Sequence, residues 1–215
     1  MINPSPNFVQ KKPVTLQLVS LHMELSPNGL LFIQSHEGFG KLVRDKVSPP
    51  ATDKSGKAIK APAGKIVKPH PKWHRVNPYN DSKGYATTGY GHLLHKSPVT
   101  AADIEKYQNM TEDDGLVLLK QDLQSRVAAI NKLVKVSLTQ YQFDAIVCFT
   151  FNVGEGSRTK GTGLAGSKFL EQLNKGIYNG ELMMNFRHPP EIIGRRRDEV
   201  TLFTTGTYSH AKSNK

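Results

Sequence analysis

The sequence predicts an α+β fold in which a small β lobe and a mainly helical lobe meet at a cleft. β-prone residues flanked by turn residues are confined to positions 80–92, whereas apolar residues at helical spacing recur along most of the chain after residue 100. The 215 residues, 37% of them hydrophobic, can support one core or two small lobes that share a long helix.

The first helix is predicted to begin at residue 26. Ser26 is a good N-cap, Pro27 suits the first helical position, and an apolar run follows at residues 30–33. The helix should end near Gly38, which places Glu37 in its last turn. Residues 1–25 carry only short apolar alternations, so we expect an N-terminal arm or a short strand.

A basic, proline-rich segment occupies residues 44–78. Its prolines exclude long helices, and the lysine-rich stretch 53–60 favours a hairpin within an otherwise irregular excursion. Loops of this length inside a compact domain are usually functional or disordered. The segment could bind acidic glycan or peptide, cap a site, bind an inhibitor or carrier protein, or be a solvated loop without a specific role.

The rest of the chain is predicted as one hairpin followed by helices. Residues 80–92 form the hairpin, and Thr111 begins a capping pattern that leads into apolar positions at helical spacing up to residue 127. Further helices are expected at 139–151, 166–174 and 194–203. We therefore expect a single domain over residues 26–208, with a short C-terminal tail at 209–215.

Composition limits the possible partners and cellular routes. The formal net charge of +11 favours polyanions such as nucleic acid, anionic lipid surfaces or the acidic bacterial wall. The single cysteine, Cys148, lies in an apolar run and is expected to be a small buried hydrophobe rather than a nucleophile. No run approaches the ~20 apolar residues of a membrane span, and residues 1–7 lack the features of a secretory signal. We expect synthesis in the cytoplasm and delivery by another agent.

Two carboxylates have a sequence context that suits glycosidic bond cleavage. That chemistry needs a proton for the leaving oxygen and a nucleophile or base on the opposite face of the sugar, usually supplied by paired carboxylates. Glu37 stands at a helix end, and Asp81 stands in a turn before the hairpin. Each alone would more often be a solvated surface residue.

The surrounding motifs carry a specific resemblance. Residues 35–39 read Ser-His-Glu-Gly-Phe, residues 84–92 read Gly-Tyr-Ala-Thr-Thr-Gly-Tyr-Gly-His, and three further blocks follow at 138–145, 149–154 and 195–206. Together they resemble the phage-type lysozymes and endolysins of glycoside hydrolase family 24, in the family's order and across most of residues 26–208. The resemblance implies a lysozyme-like fold and a muramidase that cleaves the β-1,4 bond between N-acetylmuramic acid and N-acetylglucosamine.

The resemblance also implies roles for three residues. Glu37 would be the general acid, Asp81 would orient and activate water, and Thr87 would help to hold that water. An acid of this kind must retain its proton near neutral pH, which a partly desolvated helix end favours. Inversion is implied, with a carboxylate separation of roughly 6.5–9.5 Å.

Further residues match supporting positions of the family. Arg195 would pair with the catalytic Glu, although it could instead belong to a solvated basic cluster. His92 would form an ion pair with Asp122 rather than bind a metal. The saccharide cleft would be lined by Leu93, Phe151, Asn152 and Ser167. Phe151 could equally be an ordinary core residue. No metal ion or organic cofactor is implied.

The chain departs from the family pattern in two places. Its two catalytic carboxylates are separated by 44 positions instead of a short interval, because the basic segment 44–78 lies between them. Residues 183–190 (Met-Met-Asn-Phe-Arg-His-Pro-Pro) stand where many relatives carry tryptophan, which leaves the local cleft wall undetermined.

Two other functions remain open at this stage. A lytic transglycosylase would use Glu37 alone, and a noncatalytic cationic module would bind cell-wall polymer without cutting it. Asp81 and Thr87 at the family spacing argue against both, and no nucleic-acid-binding signature is present. We expect a monomer that acts on peptidoglycan strands in the periplasm or cell wall of a host or target bacterium. Delivery could be holin release of an endolysin or injection of a type VI secretion effector, with an immunity, inhibitor or carrier protein as a further partner.

Overall fold

The computed structural model describes residues 22–39, 75–108 and 110–209. Its helices and strands follow the chain in this order: α1 (Pro27–Glu37), β1 (Arg75–Val76), β2 (Tyr79–Asn80), β3 (Ala86–Thr88), β4 (His92–His95), α2 (Ala101–Tyr107), β5 (Met110–Thr111), α3 (Glu112–Leu133), α4 (Gln140–Val153), α5 (Lys168–Leu173), two 3₁₀ helices (Gly180–Phe186 and Pro190–Ile192) and α6 (Ile193–Thr205). The chain thus combines a small sheet with a mainly helical lobe, and the predicted α+β class is confirmed.

Helix α4 lies at the centre of the helical lobe, where it packs against α1, α3 and α6. Every residue from 143 to 150 is buried, so this helix has no solvent-facing side along that stretch. A helix that is apolar all round is typical of a protein interior. The largest apolar side chains of the core are Phe32, Phe143, Phe149, Phe169 and Phe203.

Side-chain caps fix where the main helices begin. Ser26 accepts a hydrogen bond from Gly29 N, Thr111 from Asp114 N, and Thr139 from Gln142 N. Each cap satisfies a backbone N–H group that the first turn leaves unpaired. The predicted starts of α1, α3 and α4 are therefore confirmed.

The end of α1 determines the position of Glu37. Gly38 has φ +65°, a left-handed conformation that a residue with a Cβ rarely adopts, and the helix ends at the residue before it. Glu37 therefore occupies the last helical position, as the sequence predicted.

The β lobe is larger than the predicted hairpin. Strands β2, β3 and β4 form an antiparallel sheet, with Tyr79 opposite Thr87 and Thr87 opposite Leu93. A second, two-stranded sheet pairs β1 with β5 and so joins the entry to this lobe to the start of α3. The hairpin predicted over 80–92 was incomplete, because β2 is too short to show a period of its own.

Helix α2 and both 3₁₀ helices were not predicted individually. Other predictions lie outside the described residues: the 53–60 hairpin, nearly all of the basic segment 44–78, the arm before residue 22, and the tail beyond residue 209. In the parts of the chain given above, no helix has the length and apolar character needed to span a bilayer.

Candidate active site

Glu37 closes α1 with its carboxylate partly buried against α6. Arg195 donates a hydrogen bond from Nη1 to Glu37 Oε1 at 2.5 Å, and only 18% of the Glu37 side chain is exposed. A Cβ added to Gly91 in the β3–β4 turn would lie 3.7 Å from Glu37 Oε2. The carboxylate thus stands between the helical lobe and the turn of the sheet.

Arg195 also binds two further residues. Its Nε donates to Glu199 Oε1 at 3.0 Å, and its Nη2 donates to the carbonyl oxygen of Cys148 at 3.2 Å. Although burial disfavours the cation, the pKa of the Arg195 guanidinium is raised, because the carboxylates of Glu37 and Glu199 favour it. Arg195 is therefore a fixed positive charge beside Glu37 and not a solvated surface residue.

Asp81 occupies the turn between β2 and β3, where backbone N–H groups hold its carboxylate. Its Oδ1 accepts hydrogen bonds from Lys83 N and Tyr85 N, each at 2.8 Å. The backbone N–H of Asp81 itself donates to the carbonyl of Tyr85. Asp is a preferred turn residue because its side chain can bond the backbone in this way, so the local sequence fixes one oxygen of the carboxylate.

Thr87 lies at the middle of β3 and is buried, with 5% exposed. Its Oγ1 donates to the carbonyl of Tyr85 at 3.1 Å. A hydroxyl oxygen also has lone pairs that can accept a hydrogen bond. Because Tyr85 binds both Asp81 and Thr87, the two side chains share one structural support.

Tyr79, which pairs with Thr87 across the sheet, is a neighbour of the site that was not identified from the sequence. Burial raises the pKa of the Tyr79 phenol, and the negative charges of Glu37 and Asp81 raise it further. Both carboxylates therefore lie within electrostatic reach of one ring. Only the register of β2 against β3 identifies this residue, and that register is not visible in a strand of two residues.

His92 and Asp122 are brought together as the sequence resemblance implied. His92 Nδ1 lies 2.9 Å from Asp122 Oδ2, so the pair joins β4 to α3. The contact links the sheet to the helical lobe.

The four residues expected to line the cleft have different environments. Leu93 is 44% exposed, and Phe151 is partly buried against the core. The Asn152 side-chain oxygen accepts a hydrogen bond from Arg196 Nη2 at 2.9 Å. Ser167 is buried and caps α5: its hydroxyl donates to the carbonyl of Leu164 and accepts from Leu170 N. Its one hydroxyl hydrogen is thus already engaged within the fold.

The family model described as "Phage lysozyme" matches residues 74–189, more than half of the chain. This chain belongs to the phage lysozyme family. It is a lysozyme-type glycoside hydrolase. The matched range contains Asp81 and Thr87, whereas Glu37 precedes it and Arg195 follows it.

Two phage endolysins illustrate the sequence similarity within the phage lysozyme family. The chain is 35% identical over 135 residues to the endolysin of Salmonella phage P22, covering 60% of this chain and 86% of that protein. It is 35% identical over 134 residues to the endolysin of Bacillus phage B103, covering 57% of this chain and 44% of that protein. The chain therefore spans less than half of the length of the Bacillus phage relative.

Solved structures of the same fold cover most of the chain. The endolysin from Escherichia coli O157:H7 phage FAHEc1 superposes with a TM-score of 0.61 at 24% identity, over 87% of this chain and 98% of that one. A mutant of P22 lysozyme gives a TM-score of 0.55 at 27% identity, over 84% and 98%. The muramidase domain of SpmX from Asticaccaulis excentricus gives 0.53 at 25% identity, over 85% and 98%. The predicted lysozyme-like fold is confirmed.

Proposed function

We propose that this protein is a muramidase that hydrolyses the β-1,4 bond between N-acetylmuramic acid and N-acetylglucosamine in peptidoglycan. The observation that carries the proposal is that the Glu37 carboxylate faces Gly91 in the β3–β4 turn, on the same small sheet that bears Asp81 and Thr87. The two carboxylates come from different lobes, one from the end of a helix and one from a turn of the sheet. A glycan strand bound between the lobes would have a carboxylate on each side.

Glu37 is the general acid in this proposal. Its partial burial and its contact with Arg195 hold the carboxyl in one orientation, as a proton donor to a leaving oxygen requires. The protonated carboxyl gives its proton to the glycosidic oxygen as the bond to the anomeric carbon of N-acetylmuramic acid breaks.

Asp81 is the general base, and Thr87 helps to position the attacking water. One oxygen of Asp81 accepts two backbone hydrogen bonds, which orient the carboxylate. In this proposal Asp81 forms no covalent bond to the sugar. The water attacks the anomeric carbon from the face opposite the leaving group while Asp81 takes its proton. The product would have inverted configuration at that carbon.

The surroundings of the pair suit an anionic glycan. Leu93 offers exposed apolar surface on β4 next to Thr87, and we assign Phe151 and Asn152 to the helical wall of the cleft. Ser167 supports that wall by capping α5. The net charge of +11 favours association with the acidic bacterial wall.

The decisive experiment is digestion of purified sacculi by the parent, Glu37→Gln and Asp81→Asn proteins, with the products identified by mass spectrometry. We expect reducing N-acetylmuramic ends from the parent and none from either variant. The anomer released first, observed by NMR, tests inversion. Circular dichroism of each variant checks that loss of activity is not loss of fold.

Other outcomes would identify the competing functions. Anhydro-muramic ends that survive Asp81→Asn would indicate a lytic transglycosylase. A folded parent that binds sacculi but releases no sugar ends would indicate a noncatalytic wall-binding module. Either result would overturn the proposal.

We place the reaction in the cell wall of a host or target bacterium. The two delivery routes, holin release and injection, differ in whether the producing cell needs an immunity protein, so co-purification from the producer distinguishes them. The proposed unit is residues 26–208, acting as a monomer, with the arm before it and the tail after it. Light scattering after gel filtration tests the monomer.

A further inference from the structure

A buried cluster of charges lies directly behind the pair formed by Glu37 and Arg195. It consists of Glu199 and Arg196 together with the buried thiol of Cys148, and we call these three residues the inner cluster. The Arg196 and Glu199 side chains are fully buried, with 0% exposure. Full burial of charged side chains is rare, and it is costly unless the charges are paired.

Glu199 is the centre of the inner cluster, because one of its oxygens accepts three hydrogen bonds. Oε1 lies 3.0 Å from Arg195 Nε, 2.9 Å from Arg196 Nη2 and 3.2 Å from Cys148 Sγ. Burial raises the pKa of the Cys148 thiol well above its ordinary value, so the thiol keeps its proton and donates it in this bond. Burial also raises the pKa of the Glu199 carboxyl, whereas the two guanidinium groups and the hydrogen bond from Cys148 favour its ionised form. The carboxylate of Glu199 thus fixes the guanidinium that in turn fixes Glu37.

The inner cluster is not arranged for maximum stability. Within the described residues, Glu199 Oε2 and Arg196 Nε and Nη1 are buried without a hydrogen-bond partner. Apolar residues of similar volume often stabilise a core more than a buried ion pair does. Arrangements that cost stability tend to be found at functional sites.

We propose that Glu199 is a positioning residue for the reaction, and that its charge and that of Arg196 together set the pH range in which the site is active. The inference rests on the proposed role of Glu37 as the acid. Glu199 does not touch the substrate. It orients the Arg195 side chain by hydrogen bonding, and its negative charge affects the protonation of Glu37.

The charges around Glu37 come from every element packed against it. Helix α6 contributes Arg195, Arg196 and Glu199, and also Asp198, which lies 3.7 Å from His36 on α1 itself. Helix α4 contributes the uncharged thiol of Cys148, and the β lobe contributes Asp81 and the phenol of Tyr79. Glu199 is the only one of these carboxylates that accepts hydrogen bonds from both of the arginines, so removing its charge leaves two cations opposite Glu37.

The sign of the effect follows from this charge balance. Glu199→Gln keeps the volume but removes one negative charge, so the remaining cations favour the ionised form of Glu37 more strongly. Because the acid must be protonated, the alkaline limb of the kcat/KM profile should move to lower pH by about half to one unit. Arg196→Met removes one cation while keeping an apolar stem against Phe149, and should move the limb to higher pH.

The experiment measures sacculus digestion from pH 4 to 9 for the parent, Glu199→Gln, Glu199→Asp and Arg196→Met. Glu199→Asp retains the charge and should keep the parent's limb even if the rate falls, because its shorter side chain disturbs the contact with Arg195. Glu171→Gln is the matched control: this exposed residue of α5 pairs with Lys175 beyond the end of the helix, and removing its charge should leave the alkaline limb in place.

A second measurement requires no turnover and covers the case in which a variant loses activity. Carbon-13 NMR of the labelled Glu37 carboxyl should show its titration moving to lower pH in Glu199→Gln and to higher pH in Arg196→Met. Equal losses of activity at every pH, with the limb and the titration unmoved, would reduce Glu199 to a structural residue and overturn the inference. Activity surviving in Glu37→Gln would instead overturn the proposed function, so the two failures are distinguishable.

Discussion

Arg195 Nη1 donates a hydrogen bond to Glu37 Oε1 across 158 positions of sequence, joining the last turn of α1 to the first turn of α6. The same guanidinium also binds Glu199 and the carbonyl of Cys148. All three of its nitrogen atoms are therefore committed. Such a planar fork suits arginine and no other side chain.

Replacing Arg195 by lysine should lower activity although the charge is kept. An ammonium group is a compact charge on a flexible stem and cannot reproduce the three-way contact. We expect kcat for sacculus digestion to fall on the order of 10- to 100-fold, because small displacements of a catalytic group are costly. The comparison is with Arg197→Lys, an exposed neighbour on α6, which should retain the parent's rate. Full activity in Arg195→Lys would show that charge alone suffices.

Thr87→Val tests the proposed water-holding role of a buried hydroxyl. Valine keeps nearly the same shape but cannot bond to water or to the carbonyl of Tyr85. We expect kcat to fall on the order of 10- to 100-fold with KM little changed, since the loss concerns positioning in the reaction step. Thr87→Ser, which keeps the hydroxyl, should recover most of the rate. An equally inactive serine variant would indicate a packing role.

The parts of the fold predicted from sequence are those with strong local signals. The caps at Ser26, Thr111 and Thr139 each lie next to an apolar run, and each begins the helix that was expected there. Helix α2 has a capping box too, from Thr100 and Asp103, but it has no buried residues and so no apolar period to reveal it. The 3₁₀ helix Gly180–Phe186 is more tightly wound than an α-helix, so the α-helical spacing of apolar residues does not reveal it.

The two carboxylates proposed for the active site were identifiable from motifs, whereas the charged residues behind Glu37 were not. Glu37 and Asp81 stand in recognisable strings. Arg196 and Glu199 belong to a run of charged residues, which in sequence is indistinguishable from a solvated helix face. Only the packing of α6 against α4 reveals their burial.

Asp144→Asn should destabilise the fold, because the Asp144 carboxylate is buried and joins three parts of the chain. It accepts hydrogen bonds from Ser26 at the start of α1, from Gln140 on α4 and from Tyr208 after α6. Asparagine cannot accept at both positions. We expect the free energy of unfolding in urea to fall by about 2–4 kcal/mol.

Tyr208→Phe is a milder change to the same hydrogen-bond network than Asp144→Asn, because it removes one hydrogen bond and leaves the Asp144 carboxylate in place. It should lower the free energy of unfolding by about 1 kcal/mol. If Asp144→Asn cost no more than Tyr208→Phe, the carboxylate would not be the centre of this network.

Asp103 should make stability depend on pH in the acid range. Hydrogen bonds from the Thr100 side chain and backbone, and then the contact with His95, lower the pKa of the Asp103 carboxyl from 3.8 to about 2. The folded state therefore favours the ionised form. The resulting stabilisation is present above pH 4 and is lost as pH falls towards 2.

Thermal unfolding of the parent and Asp103→Asn, followed by circular dichroism from pH 7 to pH 2, measures this dependence. The variant should melt a few degrees lower at pH 7, and the difference should shrink between pH 4 and pH 2 because the parent loses the same charge there. Glu105→Gln removes a charge from the same helix without touching the cap and should melt like the parent at pH 7. A difference that stays constant down to pH 2 would mean that the Asp103 cap contributes through shape and not through its ionised form.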